Sequence, residues 1–415
     1  MERYLTKQRL LFLLAAFILF AAWNRGLNLL YGMFALLVAT TLLAHLFPRL
    51  MLRGISVNRN YPKSIIEGEL LSLEVTLVNR SVFARRMIEV VDRVPPAAED
   101  ERYPMSFVAK LAGRERRNYR YELRCDLRGE HSLGPLTVRS GFPLGIVTHE
   151  RLLPDTVSNL LVYPSMFPIV SLPLAASGNL PLRGAVAVSR AGGSEDFSGT
   201  REYRRGDSPR FIHWPSTARH GEMIVKEFEM RAATEVTIVL DLHKHAQIGR
   251  GKESTLEYAV KIAASITRYV LAQGHDVQFM ASGAKPWFVP AGRGVAQLAR
   301  MLEVLARVQA DGDIYYSRAV ERAVETMREG AAAILIFADY ERDISGQLRA
   351  LALLRARRIK PLCVFLNRRS FGAMRTVGGK EGAVGAAEFH RRFVAEGVPS
   401  YLVSMGDSLE RVFSR

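Results

Sequence analysis

Two uncharged apolar runs, separated by a short polar turn, constrain this chain more than any other feature. Residues 10–23 form the first run and residues 27–47 the second. Crossing the hydrocarbon core of a bilayer takes about 20 apolar residues in a helix. The second run is therefore long enough to span alone, whereas the first is short and needs tilt or a partner helix to cross. Residues 1–53 are predicted to form a transmembrane helical hairpin.

Basic residues flank this pair on its outer sides. They are Arg3, Lys7, Arg9, Arg49 and Arg53. Only Arg25 lies in the turn. Because basic flanks stay on the inner side of a membrane, both ends are predicted to face the cytoplasm, with the soluble domains cytoplasmic and the protein integral to the cytoplasmic membrane. A cleavable signal peptide is the alternative, although no small-residue cleavage site separates the runs.

The net charge of +16 fits an acidic partner, nucleic acid or an anionic membrane surface. No nucleic-acid-binding motif accompanies the basic residues, so no nucleic acid partner is expected and membrane lipid remains one. The two cysteines, Cys125 and Cys363, lie far apart in different predicted domains. Reduced, buried thiols are therefore expected, which agrees with a cytoplasmic location.

Residues 54–155 alternate apolar and polar side chains with a period of two. Leu71, Leu73, Val75 and Leu77 are one example of this alternation. Half-buried strands have this pattern, and several at short spacing with turn residues between them predict an all-β immunoglobulin-like sandwich.

Residues 235–415 contain short, fully apolar runs separated by helical periods, which is typical of a parallel sheet covered on both faces. The predicted strands are 236–240, 277–280, 332–338, 362–366 and 401–403. The predicted helices are 256–273, 295–309, 317–329, 345–358 and 387–396. This region is predicted to be an α/β doubly wound domain.

Residues 156–234 form a predicted signature connector that resembles neither neighbour. Residues 192–207 read GGSEDFSGTREYRRGD, residues 210–219 read RFIHWPSTAR, and residues 225–229 read VKEFE. With RGEHSLGP at 128–135 and FPLG at 142–145 upstream, this pattern resembles the family named domain of unknown function 58 (DUF58). A stretch this long without strong elements is usually functional or an interdomain connector.

The resemblance implies a membrane-anchored protein whose C-terminal domain is von Willebrand factor A-like and whose partner is a MoxR-type AAA+ ATPase. The residues of the signature that are expected to bind a partner or to stabilise the structure are Asp196, Gly199, Thr200, Arg201, Tyr203, Gly206, Asp207, Arg210, Trp214, Ser216 and Arg219.

Guanidinium and carboxylate groups alternate along this signature. Asp196, Arg201, Glu202, Arg204, Asp207, Arg210 and Arg219 are expected to form a network of bidentate pairs. Such a network either locks a loop between domains or presents a surface to a ligand or partner, and the sequence leaves both readings open.

A second candidate site follows the first strand of the α/β domain. Asp241, His243 and His245 come directly after this strand, and ligands bind beyond the carboxyl ends of strands in doubly wound sheets. In von Willebrand factor A domains, Asp-x-Ser-x-Ser at this place holds Mg²⁺. Here both serine positions are histidines, Asp313 stands in for a later loop residue, and Asp339 matches the distal acidic position.

Imidazole ligands suit Zn²⁺ or another transition ion better than Mg²⁺. An altered site for such an ion, a residual Mg²⁺ site and a degenerate site without metal are all open. No nucleophile and base stand together in the sequence. The sequence therefore predicts a protein-protein interaction or adaptor protein and not an enzyme, with no cofactor. A metal-dependent enzyme at the Asp-x-His-x-His rim is the alternative, and electrostatic binding to anionic lipid is a third reading.

Overall fold

The computed structural model describes residues 2–173, 196–204, 207–229, 234–338, 345–372 and 386–414. The chain divides into two compact units, Met1–Pro164 and Ser165–Arg415. We call the first the β unit, with its two N-terminal helices, and the second the α/β unit.

Two packed helices open the β unit. They are α1 (Glu2–Arg25) and α2 (Asn28–Leu52). Gly26 joins them at φ +62, where its N–H donates to the carbonyl of Ala22 at 2.9 Å, and glycine adopts this left-handed geometry without strain. In the part of the chain that the structure describes, α2 is the one helix both long and apolar enough to cross a membrane.

Ten strands follow α2 in the described part of the β unit. They are β1 (Ile55–Asn60), β2 (Ser64–Ile66), β3 (Leu70–Asn79), β4 (Arg85–Val91), β5 (Met105–Leu111), β6 (Arg116–Arg124), β7 (Gly129–Leu133), β8 (Leu136–Ser140), β9 (His149–Leu153) and β10 (Ser158–Tyr163). These strands pair in the orders β1-β3-β6, β5-β4-β8-β9 and β2-β10-β7. Because β10 pairs with both β2 and β7, sheet structure extends into the region that the sequence assigned to the connector, residues 156–234.

The alternation predicted for this region is present in β3. Leu71, Leu73, Val75 and Leu77 are fully buried, and the residues between them are partly exposed. Val75 and Leu77 share one core with Ile88 of β4 and Val138 of β8. The inner face of β3 thus packs against the sheet that contains β4 and β8.

A buried ion pair ties several of these strands together. The guanidinium of Arg59 donates to Asp92 at 2.5 Å, and the two side chains are 2% and 0% exposed. Arg59 also donates to the carbonyl of Thr156 at 2.8 Å and to the hydroxyl of Ser158 at 2.6 Å. These bonds link β1, the turn after β4, and the start of β10.

In the described residues of the α/β unit the strands are β11 (Asp196–Glu202), β12 (Ile224–Glu229), β13 (Glu235–Leu240), β14 (Gly249–Arg250), β15 (Glu253–Ser254), β16 (Asp276–Ser282), β17 (Pro286–Gly292), β18 (Ala332–Ala338), β19 (Lys360–Leu366) and β20 (Ser400–Val403). The helices are α3 (Trp214–His220), α4 (Thr255–Ala272), α5 (Gly294–Arg307), α6 (Tyr316–Thr326), α7 (Ser345–Ala356), α8 (Arg368–Phe371), α9 (Ala386–Ala395) and α10 (Leu409–Val412).

Six of these strands form one sheet in the order β17-β16-β13-β18-β19-β20. Five run parallel, and β17 pairs antiparallel with β16 at the edge. The chain builds outward from β13 to β16 and β17, then returns to the other side of β13 to begin β18. The order of the strands therefore reverses between β13 and β18, which is where such sheets leave a crevice at their carboxyl ends.

The five strands and five helices predicted for this region are all present, with ends that differ by a few residues. Strand β17 was not predicted, because Pro286 and Pro290 interrupt its sequence pattern. Proline removes a hydrogen-bond donor, which an edge strand tolerates on its open side. Cys125 and Cys363 are free and fully buried, as predicted, and burial raises the pKa of the Cys125 thiol to about 11.

Breaking the buried ion pair provides a test of the β unit. Asp92→Asn leaves the buried Arg59 charge without its counter-ion, which typically costs on the order of 3–5 kcal/mol. Glu150→Gln is the matched control, because the Arg139–Glu150 pair is 42% and 56% exposed and such pairs contribute about 0–1 kcal/mol.

Pulsed thiol labelling in denaturant distinguishes the two units, since each buries one cysteine. Asp92→Asn should lower the denaturant concentration at which Cys125 reacts and leave Cys363 unchanged. Equal midpoints for Asp92→Asn and Glu150→Gln would contradict a structural role for this pair.

Candidate functional site

The signature residues fold into a two-stranded antiparallel hairpin of β11 and β12. Thr200 pairs with Lys226 and Arg201 with Val225, and the register shifts between Phe197 and Gly199. This irregularity lies at a predicted signature glycine, and bulges of this kind re-aim the residues that follow them. We call residues 196–204 and 207–229 the signature hairpin.

Helix α3 packs on this hairpin through one threonine. The Thr217 hydroxyl accepts the amide of Ile224 at 3.1 Å and donates to the carbonyl of His213 at 3.1 Å. The hydroxyl of Ser216 lies 2.7 Å from Nδ1 of His213, and the amide of His213 donates to the carbonyl of Ile224. These bonds fix the start of α3 against β12.

Arg201 and Asp207 form a bidentate ion pair across the turn after β11. The two guanidinium nitrogens lie 2.7 and 2.8 Å from the two carboxylate oxygens, and the Arg204 amide donates to the same carboxylate at 2.8 Å. The Arg201 guanidinium, followed by this amide, lowers the pKa of Asp207 to about 2. Asp207 is therefore ionised throughout the neutral range, and we call this pair the clasp.

Other signature residues project into solvent. Arg204, Arg210 and Arg219 are exposed, and none of them forms an ion pair with a carboxylate in the described ranges. Trp214 begins α3 with 66% of its surface exposed. Of the predicted network, the described residues show the clasp. We call Arg204, Arg210, Trp214 and Arg219 the signature surface.

The remaining signature residues divide into three groups. Thr200 is exposed, and Tyr203 is half-buried with its amide on the carbonyl of Met223. Asp196 begins β11, but only its backbone is described. Gly206 lies outside the described residues.

The second candidate site begins where β13 ends. The Asp241 carboxylate accepts the amide of His243 at 2.9 Å, and Nδ1 of His243 accepts the amide of His245 at 3.1 Å. Since Nδ1 is the acceptor, a neutral His243 carries its proton on Nε2. Burial, followed by the nearby His245, lowers the pKa of His243, whose ring stacks on Tyr315 at 5.1 Å.

A glycine loop covers one side of this strand end. The amide of Gly312 donates to the carbonyl of Leu242 at 2.9 Å, and its own carbonyl accepts the amide of Lys244 at 2.9 Å. A Cβ on Gly312 would lie 2.3 Å from the carbonyl oxygen of Ser282. Lys244 also pairs with Asp313 at 2.6 Å, so Asp313 has an ion-pairing role here.

A pocket of about 240 Å³, including solvent at its mouth, lies at the crevice between β13 and β18. Asp241, Gln247, Thr255 and Ala338 contribute to its lining. Gln247 accepts the amide of Leu256, and Ser254 accepts that of Glu257, so side chains cap the first amides of α4. Among the described residues that line the pocket, the charged group is the Asp241 carboxylate, which disfavours an anionic ligand.

The predicted metal ligands are not all described. Asp339 lies outside the described residues, and within the described ranges no group of three or more His, Cys, Asp or Glu side chains is placed to hold a metal ion. The altered metal site therefore stays a prediction.

Sequence reasoning missed two residues that shape these sites, Thr217 and Gly312. The run Asp311-Gly312-Asp313 carried a turn signal that could have indicated the loop. Nothing in the sequence marked Thr217, because its role depends on the packing of α3 against β12.

The clasp predicts a local response to substitution. Asp207→Asn removes the charged bidentate acceptor, so the backbone amides of residues 200–213 should exchange hydrogen faster. Asp313→Asn is the control, because it removes an ion-paired carboxylate elsewhere in the unit. Equal exchange in the two variants would contradict the role of the clasp.

The clasp also predicts a pH dependence. A lowered pKa stabilises the folded form fully above the unfolded value, about 3.9, and this contribution is lost as pH falls through about 2. The rate of hydrogen exchange at the backbone amides of the signature hairpin, corrected for the intrinsic rates, should therefore not change between about pH 5 and 8.

The loop at Gly312 predicts a steric effect. Gly312→Ala should destabilise the α/β unit by about 1–3 kcal/mol, because its Cβ has no room. Gly372→Ala is the control, since the nearest atoms there are 3.9 Å away. The denaturant midpoint for Cys363 labelling should fall in the first variant alone, and an unchanged midpoint in Gly312→Ala would contradict the packing described.

Solved structures resemble parts of the chain at low similarity. The CARDB domain of the PF1109 protein from Pyrococcus furiosus is 14% identical, with a TM-score of 0.20 over 26% of this chain and 91% of that one. A β-glucosidase from Listeria innocua is 20% identical, with a TM-score of 0.18 over 26% of this chain and 16% of that one. At such TM-scores these likenesses indicate nothing about activity.

Sequence comparison is more informative. Uncharacterized protein YeaD of Bacillus subtilis (strain 168) is 25% identical over 318 residues, which cover 73% of this chain and 74% of that protein. The family model described as protein of unknown function DUF58 matches residues 199–359, from the signature hairpin to the start of β19. The resemblance of this chain to the DUF58 family is therefore confirmed over residues 199–359.

Proposed function

We propose that this protein is a membrane-anchored adaptor whose signature surface binds a partner protein. The observation that carries the proposal is the contrast within the signature hairpin. Arg201 and Asp207 are used to hold the turn, whereas Arg204, Arg210, Trp214 and Arg219 are exposed.

The signature surface combines three exposed arginines with an exposed tryptophan. Both types are enriched among the residues that dominate protein-protein binding energy, because each combines a large apolar area with hydrogen-bond donors. The clasp and the Thr217 bonds hold the backbone that presents them. A surface that is already ordered loses less conformational entropy on binding.

The fold supports a binding domain held at a membrane. Counted along the chain, the six strands of the large sheet have the order 3-2-1-4-5-6, which is a doubly wound order. This order supports the von Willebrand factor A-like interpretation of the α/β unit. The facing sheets of the β unit support the immunoglobulin-like interpretation, with that domain as a spacer.

The anchor is proposed as a hairpin in which α1 crosses beside α2. Ala22 of α1 is fully buried, which indicates close helix packing. Basic residues flank the two apolar runs on their outer sides, which supports a cytoplasmic position for both units. The partner implied by the family resemblance is a MoxR-type AAA+ ATPase.

The rival function is a metal-dependent enzyme that uses Asp241, His243, His245 and Asp339. The Nδ1 lone pair of His243 is engaged, since it accepts the backbone amide of His245, and Nε2 of the neutral ring then carries the proton. This geometry disfavours His243 as a ligand. Stoichiometric Zn²⁺ or Mg²⁺ after mild purification, lost in Asp241→Ala, would favour the enzyme over the adaptor.

The adaptor is tested by titrating the full-length protein in nanodiscs with a purified MoxR-type ATPase, with and without ATP. Arg210→Glu and Trp214→Ala should each raise the Kd about tenfold or more, as expected for central interface residues. Arg318→Glu is the matched control, because this exposed arginine lies on α6 outside the signature surface.

The three variants separate a specific surface from general electrostatics. If Arg318→Glu weakens binding as much as Arg210→Glu does, the attraction comes from net charge. If the wild-type protein shows no binding in either nucleotide state, the assignment of the partner is wrong.

A further inference from the structure

The end of the β unit beside helix α2 has properties that the adaptor role does not require. Met51 and Leu52, the last residues of α2, are buried in the same core as Val75 and Leu77. The ring of Phe47 lies 6.0 Å from that of Phe142. Helix α2 therefore enters the β unit directly, without a linker.

Helix length fixes where the bilayer ends. Residues 28–46 precede the part of α2 that packs on the β unit, and at 1.5 Å per residue they span about 28 Å. The hydrocarbon core is about 30 Å thick. If α2 crosses the membrane, as the proposed anchor requires, the nearby end of the β unit lies at the headgroups.

Two loops of the β unit meet α2 at this end. The amide of Arg80 donates to the carbonyl of Gly54 at 2.8 Å, which places residues 80–84 beside the end of α2. Phe142 packs on Phe47 and begins the second loop, residues 142–145. The second loop therefore contacts the helix itself, and the first contacts Gly54, two residues after the helix ends.

Each loop presents large apolar side chains to solvent. Val82 is 62% exposed, Phe83 is 73% exposed and Leu144 is 54% exposed. The first loop is nevertheless held in place. Asn79 donates to the carbonyl of Phe83 at 2.9 Å, and the Ser81 hydroxyl accepts the Phe83 amide at 2.9 Å.

Charge separates this end of the β unit from the opposite one. Segments 47–56, 79–86, 112–117 and 140–146 contain eight arginines and one acidic residue, Glu115. At the opposite end, where β3 begins and β6 ends, segments 66–70, 92–104 and 124–130 contain eight acidic residues and four arginines. The β unit is therefore basic beside α2 and acidic at its far end.

Apolar exposure alone does not identify a membrane surface here. Leu70, Tyr103 and Met105, toward the far end, are also exposed. What distinguishes the near end is the combination of exposed apolar loops, an excess of arginine and contact with the apolar helix. Anionic lipid supplies both partners that this combination needs, since its headgroups attract arginine and its acyl boundary accepts apolar side chains.

We propose that this end of the β unit is a membrane-binding surface, in which Val82, Phe83 and Leu144 enter the bilayer interface and the surrounding arginines bind the phosphates of anionic lipid. The proposal rests on the membrane anchoring proposed above. In this proposal the β unit has a second contact with the membrane in addition to helix α2. Two contacts fix the orientation of the unit, whereas one contact only tethers it.

The test uses single labelling cysteines in the full-length protein, because both native thiols are buried and unreactive in the folded state. An environment-sensitive fluorophore is attached at Val82→Cys, Leu144→Cys or Leu70→Cys. Leu70 is the matched control, since it is 62% exposed and lies nine residues along β3 from Asn79, about 30 Å away. Each protein is reconstituted into vesicles with or without phosphatidylglycerol.

Lipids with a spin label near the headgroup should quench the fluorophores at 82 and 144 several-fold more than the one at 70. The difference should be larger in anionic vesicles. Adding Phe83→Asp to Val82→Cys should reduce quenching at position 82 towards the level at 70, with the native cysteines still unlabelled as evidence of folding.

Flotation of the same vesicles separates two failures. If the protein floats with the vesicles but positions 82 and 144 are quenched no more than 70, the membrane-binding surface is wrong and the anchor stands. If the protein does not float with the vesicles, the anchor and the surface are both wrong.

Discussion

The last residues of the apolar helix α2 pack into the core of the β unit, and one arginine forms hydrogen bonds at this junction. Arg151 of β9 donates to the carbonyl of Leu52 at 3.1 Å and to that of Ile55 at 2.5 Å. The last carbonyls of a helix lack partners within the helix. The guanidinium supplies a partner, and Met51 and Leu52 can then continue into the core. If α2 is the membrane anchor proposed above, this attachment transmits orientation as well as position.

The α/β unit separates residues that maintain structure from residues that remain accessible. At the crevice of its large sheet, Asp241 and His243 accept backbone amides, and side chains cap the first turn of α4. In the signature hairpin, the clasp engages Arg201 and Asp207 while Trp214 and three arginines face solvent. Among the described residues, the signature hairpin therefore presents a cluster of exposed arginines and a tryptophan, and the binding function is proposed on that cluster.

The sequence predicted most elements of the large sheet, because strands such as β18 are fully apolar and flanked by clear helical periods. It did not predict β17, whose prolines are tolerated only because that strand is an edge. In the signature, the residue types suggested a network of ion pairs. The structure shows that Asp207 pairs with Arg201. The sequence did not specify this pair, because the pairing depends on the turn that brings positions 201 and 207 together. The sequence likewise did not predict that the arginines beside α2 gather at one end of the β unit, because the segments that contain them lie far apart in the chain.

The central claim is that the signature surface contacts another protein at the membrane. The most direct measurement is photo-crosslinking in native membranes, with a photoreactive amino acid at position 214 and, as a control, at position 318. The account predicts a crosslink from position 214 to an AAA+ ATPase, with none from position 318. Crosslinks from position 214 confined to this chain itself would show that the exposed tryptophan serves its own structure and would contradict the claim.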